Sequence, residues 1–590
     1  MLLDAPALSG EGPESQFEIM QNAAARASFK AFMNGYLREV VQEVSQPADL
    51  GVPVHLECDL PHSFTRLRVE VTYWSLTGPH DFGALQLLNP NTNRWRDAAI
   101  GEVIPLIITD CFVRQGVVGS PQMMELLRRV FNSYDRIFQS SRQTQASDIA
   151  FLSAEQHLHF GHWMHPTPKS LDGMTVWHQD AYAPEFGGLF QLEYFAARND
   201  IVETGSAFGQ PIREILGQID GAPLHQLGAD ETLIPMHPLQ AEAQRLRPST
   251  RKLLADGLLR DLGPAGAEFT ATSSVRTVYS PTCPWMLKFS LPVKITNSLR
   301  INLRHELSAG VIMAGLLEAL APLPPKLHVI NDPAFITLTL PDQTETGFEV
   351  IFRDNPFRDA DGEGIVNVAA LTADPLPGQS SLLARIIMRQ SRTENALPSK
   401  VATRWFAAYL DCALWPMLTL YDQHGLAFEA HQQNSLLDVS SGLPQRCYFR
   451  DNQGYYIAES HLPRLAKLAP GLLDTASICF PEAEINQRFC YYLIVNQIFS
   501  VISRMGRDGF ADETALLKTL RNRLNDFALQ ANGPAKAFVE SVLNAPKLPC
   551  KGNLLTRIHD LDELQVEGEK AEYIWFANPL LTMSEIRHAI

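Results

Sequence analysis

The residues most able to do chemistry lie in Phe428-Glu429-Ala430-His431-Gln432-Gln433-Asn434-Ser435-Leu436-Leu437 and in Tyr448-Phe449-Arg450-Asp451-Asn452-Gln453-Gly454. Read as an extended segment, the first places Glu429, His431 and Gln433 on one face and ends its polar run at Asn434. About a hairpin later, Asp451 closes an aromatic strand just before a glycine turn. Protein kinases use this logic, an Asn and a strand-end Asp holding Mg2+ under a triphosphate. Mg2+ suits such sparse carboxylate and amide ligation because phosphate oxygens and water complete its shell. A polar hairpin without chemistry is the plainer reading, but a polar run set in an apolar stretch favours a site.

Further segments carry charge in unusual surroundings. In Thr272-Ser273-Ser274-Val275-Arg276-Thr277-Val278, a strand would put Ser274 and Arg276 on one face, a pairing that suits a carboxylate or phosphate. Lys288 interrupts the apolar strand Trp285–Leu291, where a buried ammonium needs an anionic partner. Thr296 and Arg300 lie four apart and share a face of any helix that starts after Pro292. The run Glu155–Lys169 holds His157, His159, His162 and His165. It lacks the further ligands of a metal site, so an anion contact by His165 or Lys169 is the better reading, the other histidines being structural.

Positioning these groups falls to 590 residues, 45% apolar and 19% charged, an ordinary globular composition with length for roughly three or four domains. Disorder, collagen-like and coiled-coil classes are excluded. A net charge of −16 argues against a nucleic-acid or anionic-membrane partner, but not against a small cationic pocket. Eight scattered cysteines without a C-x-x-C pair read as reduced thiols of a cytoplasmic protein. The Met1-Leu2-Leu3-Asp4 start has no basic region of a signal peptide, and the most apolar stretch, Ala309–Pro325, predicts a buried helix rather than a membrane span.

The patterns divide the chain into three parts. Residues 1–150 read as mostly helical, with helices over 17–44 and 121–142 and a strand at Arg66–Val71. Residues 151–345 are richer in Pro, Gly and His, with β-like runs at 270–278, 285–291 and 334–340. Residues 346–590 open on a strand at 348–352, and long helical patterns follow at 400–423 and 484–505. Strand-like alternation at 426–437 and 448–457 lies between those two helices. With no βαβ rhythm, GxGxxG or Walker-A sequence, the expected fold class is α+β.

In their order along the chain, these motifs resemble the NRPS-independent siderophore synthetases of the aerobactin-synthetase (IucA/IucC) type. The matching pieces are G-H-x-x-H-P-x-P-K at 161–169, M-H-P-L-Q at 236–240 and T-S-S-x-R-T at 272–277. To these add K-x-S-L…K-I-T-N-S-x-R at 288–300, E-A-H-Q-Q-N at 429–434 and R-D-x-x-G at 450–454. The resemblance implies a cupped hand of thumb, fingers and distantly kinase-like palm. It implies ATP- and Mg2+-dependent adenylation of citrate or a related polycarboxylate, then capture by an amine or hydroxyl, and a homodimer. By motif, ATP falls to His165, Ser274, Lys288, Arg300, Asn434 and Asp451, and Mg2+ to Glu429, Asn434 and Asp451. The carboxylate substrate falls to Arg276, Thr296, His431, Gln433 and, by helix position alone, Arg488, with Arg276, Lys288, Arg300 and His431 catalytic. The rivals are a kinase-like phosphotransferase, a non-catalytic polycarboxylate-binding protein and a His-cluster metalloenzyme.

Overall fold

A computed structural model describes residues 16–41, 54–117, 119–143, 148–295, 298–341, 343–451, 454–474, 478–559 and 572–581. Its organising element is an antiparallel sheet of eight strands. Their order is Val202–Ser206, Ala334–Leu338, Val350–Asp354, Trp285–Phe289, Thr277–Tyr279, Leu259–Ala271, Phe190–Arg198 and Glu231–Met236. The central strand Trp285–Phe289 is buried along its whole length, which explains its continuous apolar run. Lys288 is the exception in that run, and it sits opposite Thr277 on one side and Ile351 on the other. The strand Val350–Asp354 belongs to this sheet, so the division drawn at residue 345 falls between two of its neighbouring strands.

A second sheet carries the other half of the chemistry. Leu327–Ile330 pairs in parallel with Arg446–Arg450, which continues antiparallel to Ser435–Asp438 and then Ile365–Asn367. Residues 331–333 alone join Leu327–Ile330 to the eight-stranded sheet, and Asp332 within that link takes both ends of Arg353 at 2.6 and 2.8 Å. This buried, bidentate pair locks the two sheets together. It also sets Asp451, at the end of Arg446–Arg450, against Lys288 in the larger sheet.

The first part carries a four-stranded antiparallel sheet, Val54–Leu60, Thr65–Tyr73, Asp81–Asn89 and Arg94–Asp97, besides the expected helices Gln16–Tyr36 and Pro121–Ser141. Its helices share one apolar core with the last part, from Phe32 and Ile107 through Trp405 to Leu493 and Ile498. Buried carboxylates rivet the two. Glu39 accepts from the backbone N–H groups of Leu554 and Leu555 at 2.7 and 3.0 Å. Glu513 accepts from Tyr73 Oη at 2.6 Å, Ser75 Oγ at 2.8 Å and Leu76 N at 2.7 Å.

Three local expectations are corrected. The strand expected over Thr270–Val278 ends at Ala271 and resumes at Thr277. Between them Val275 takes φ +67°, and Arg276 N–H bonds Ser274 O at 2.8 Å, so Ser274 and Arg276 sit on a tight turn rather than one strand face. Residues 429–434 also form a turn, between strands Leu426–Phe428 and Ser435–Asp438, which breaks the alternation expected of Glu429, His431 and Gln433. After Pro292 comes a short hairpin, Lys294–Ile295 with Ser298–Leu299, and the helix begins only at Arg304. Thr296 lies outside the described residues. All eight cysteines are free thiols, and among the described residues no helix is long and apolar enough to cross a membrane.

Candidate active site

One cavity of about 460 Å³ gathers residues from all three parts of the chain. Its wall carries eleven Lys and Arg side chains against five Asp and Glu, the reverse of the whole-chain balance. His165, Ser274, Arg276, Lys288, Arg300, Glu429, His431, Gln433, Asn434 and Asp451 all line it. Arg488 does not line it. That side chain is buried at the end of helix Glu482–Phe489, with its guanidinium 4.1 Å from the Phe480 ring centre and 5.4 Å from that of Tyr456.

Asp451 is the centre of the constellation. Lys288 Nζ donates to its Oδ1 at 3.3 Å and Asn434 Nδ2 to its Oδ2 at 3.2 Å, with Arg353 Nη2 4.0 Å from Oδ1. Glu429 comes close because Gly454 has no side chain. A Cβ there would stand 2.5 Å from Glu429 Cβ and 3.4 Å from Asp451 Oδ2. The donor set of Glu429, Asn434 and Asp451 fits Mg2+, which takes few protein oxygens and keeps the remainder for phosphate and water. Among the described residues no cluster of three or more His, Cys, Asp or Glu could hold a metal by itself.

Burial pushes the Lys288 ammonium down to about 8, with Asp451 pulling the other way. The charge that would meet a phosphate is thus lost as pH rises through that value. Affinity for the nucleotide triphosphate is expected to fall progressively above about pH 8 in the parent protein. Lys288→Arg, charged throughout, is expected to flatten that limb. Titrating affinity by calorimetry from pH 6.5 to 9.5 checks both. An unchanged slope in Lys288→Arg would assign the titration to another group.

Burial also lowers His431, to about 3. Its Nδ1 accepts the backbone N–H groups of Gln433 at 3.2 Å and Asn434 at 3.4 Å. The neutral ring therefore carries its hydrogen on Nε2, which acts as a donor. Arg276 Nη1 donates to Ile301 O at 2.7 Å and to Asn302 Oδ1 at 3.1 Å, which fixes the guanidinium on the cavity wall. The loop of His162 and His165 closes through Gly161, at φ +69°, where a Cβ would lie 2.7 Å from Pro168 O. His162 and His165 both line the cavity, and His162 is held in place by Gln432 and Asn496 at 2.9 and 3.0 Å. Lys169 lines the cavity as well, ion-paired with Glu185.

Glu155 had shown only as an incomplete metal set, and the structure gives it a different task. Its Oε2 accepts from Ser273 N and Oγ at 3.0 and 2.7 Å, and its Oε1 from Arg450 Nη2 and Asn367 Nδ2 at 2.7 and 2.8 Å. Arg450 also donates to Gln433 O at 3.0 Å, and Gln433 Nε2 to Ser273 Oγ at 3.2 Å. This one buried carboxylate ties the turn bearing Ser274 and Arg276 to the turn bearing His431 and Asn434. No local motif marked it, because its partners are remote in sequence.

The chain is 36% identical to the spermidine-citrate ligase of Bacillus anthracis, over 96% of this chain and 99% of that protein. It belongs to the IucA/IucC family of siderophore synthetases. The IucA/IucC family model itself matches residues 150–373, and a ferric iron reductase FhuF-like transporter model matches residues 403–566. Identity is 33% to the rhizobactin siderophore biosynthesis protein RhbC of Rhizobium meliloti (strain 1021), over 95% of this chain and 98% of that one. Among solved structures, ATP-bound aerobactin synthetase IucA from a hypervirulent pathotype of Klebsiella pneumoniae superposes with a TM-score of 0.85. That match has 26% identity and covers 94% of this chain and all of the other. The mixed α/β fold of this family member is therefore that of the aerobactin synthetases.

Proposed function

We propose that this family member is an ATP-dependent ligase that adenylates a carboxylate of citrate, or of a related polycarboxylate, and joins the acyl group to an amine or hydroxyl. The observation that carries the reading is Asp451 held between Lys288 and Asn434 in a cavity whose wall reverses the charge of the chain. In the first step a substrate carboxylate oxygen attacks the α-phosphorus of ATP and pyrophosphate leaves. In the second the nucleophile attacks the acyl carbon, the bond to AMP oxygen breaks, AMP departs with that electron pair and the nucleophile's proton passes to solvent.

Most of the work asked of the protein is electrostatic. His165, Ser274, Lys288 and Arg300 are assigned to the phosphates, and Arg276, His431 and Gln433 to the carboxylate substrate. Glu429, Asn434 and Asp451 would hold Mg2+, which when bound neutralises phosphate charge. His431 enters as a neutral Nε2–H donor, so it orients the acid and is not the general base. Arg488, off the cavity wall, receives no part in substrate binding. The thumb, fingers and kinase-like palm belong to the same proposal, supported by the two sheets that meet at Lys288 and Asp451.

The test is the nucleotide product. Incubation with ATP, citrate and hydroxylamine is expected to give AMP, pyrophosphate and citryl hydroxamate in equal amounts, whereas ADP would favour a phosphotransferase. Arg276→Ala is expected to raise KM for citrate roughly 10–100-fold, the scale of one charge-assisted hydrogen bond, and to leave KM for ATP within about threefold. Initial rates at crossed substrate concentrations read this. An equal rise in both constants would move Arg276 to the nucleotide.

A further inference from the structure

A second group of charges lines the same cavity and takes no part in the site above. Lys30 comes from helix Gln16–Tyr36, Asp374 follows helix Val368–Thr372, and Arg504 and Arg507 come from helix Phe499–Arg507. Asp374 is the hub. Lys30 Nζ approaches it at 2.8 Å and Arg504 Nη1 at 3.0 Å, and Arg507 Nη1 pairs with it as well. Asp81, which is not on the cavity wall, anchors the back of the group through Lys30 at 2.9 Å and Arg507 Nε. Burial pushes the Asp374 carboxyl up, but Lys30, Arg507 and Arg504 together hold it below the usual carboxylate range.

The cluster is more than a strut between the first and last parts of the chain: Asp81 and Asp508, which takes Arg504 Nη2 at 2.6 Å, balance it from behind the wall, and the face turned to the cavity is cationic. Three cations face the cavity with one carboxylate between them. Arg507 pairs through Nε with Asp81 and through Nη1 with Asp374, and its side chain remains 25% exposed on the cavity wall. The Nε of Arg504 is buried and makes no hydrogen bond among the described residues. Ser500 and Ser503 add hydroxyls to the same wall. A polyamine placed here would bring ammonium groups against Lys30, Arg504 and Arg507. An amino-acid head group meets opposite charge at both ends, its carboxylate on Arg507 and Lys30 and its ammonium on Asp374.

We infer that this cluster binds the nucleophile, and that the nucleophile is an amine bearing a carboxylate, of amino-acid type, rather than a polyamine. The inference rests on the ligase reading, and its test separates the two. With citrate and ATP, the parent protein is assayed with 2,3-diaminopropanoate and with spermidine as probes, and in parallel with hydroxylamine, which traps the acyl group without using the amine site. Diaminopropanoate is expected to be used at least tenfold more efficiently than spermidine. Arg507→Gln is expected to raise KM for diaminopropanoate at least tenfold while hydroxamate formation keeps its rate. Arg507→Lys, which restores the charge, is expected to recover most of the loss, a rescue a merely structural role would not single out. Preference for spermidine, or an unchanged KM in Arg507→Gln with normal hydroxamate formation, overturns the assignment. Absence of citrate-dependent hydroxamate in the parent overturns the ligase reading itself.

Discussion

Asp451→Asn is expected to cut citrate-dependent AMP formation by about 10²–10³-fold while the protein stays folded, the scale of removing one preorganised electrostatic group. The substitution is nearly isosteric, so packing is preserved and the loss is one of charge. In the proposed site Asp451 would supply a carboxylate to Mg2+, and it is the counter-ion at 3.3 Å from Lys288. Because Asp451 is what pulls the Lys288 ammonium upward against burial, its removal lowers that group further and leaves less positive charge for the phosphates at neutral pH. Two contributions thus fall together, and the pH optimum is expected to move to lower pH. Hydroxamate assays across pH, with circular dichroism as the folding control, read both. Activity within tenfold of the parent would remove Asp451 from the centre of the account.

Glu155→Gln is expected to be the most damaging single change to stability, about 3–5 kcal/mol, the range for removing one partner of a buried ion pair. Each Glu155 oxygen accepts two donors, so an amide NH2 in either place faces donors with nothing to accept it. Arg450, 4% exposed, would keep its charge and lose its carboxylate. The damage is expected to spread to activity, since Ser273 and Gln433 hold the two turns of the proposed site through the same network. The urea midpoint of the whole chain measures it. A shift within error would mean that water can replace the carboxylate.

The chemistry was more legible in the sequence than its local geometry. Lys288 stood out because an ammonium in a continuous apolar strand has few outcomes other than a buried anion partner, and Asp451 is that partner. The polar run from Glu429 to Asn434 stood out for its composition, yet the period-two reading of it failed. Composition reports which groups gather, and turns such as those at 272–276 and 429–434 are set by backbone hydrogen bonds that side-chain alternation does not encode. The left-handed Val275 is the extreme case, as no sequence rule places a β-branched residue there. Glu155 with Arg450, and Lys30 with Asp374 and Arg504, were invisible for another reason. Each pair joins remote parts of the chain, and one sequence holds no signal that couples them.

The acidic total and the cationic cavity are two sides of one arrangement. A chain of net charge −16 repels polyanions over most of its surface, so citrate and ATP gain attraction only at close range, inside the wall of eleven Lys and Arg side chains. Substrate affinity is accordingly expected to depend on buried contacts and to change little with salt.

The central claim, that a citrate carboxylate oxygen attacks the α-phosphorus, is tested most directly by isotope transfer. Citrate labelled with ¹⁸O in its carboxylates is turned over with ATP and an amine, and the phosphorus products are read by mass spectrometry. The account predicts one ¹⁸O per AMP and none in pyrophosphate. Label in inorganic phosphate, with ADP as the nucleotide product, would contradict it.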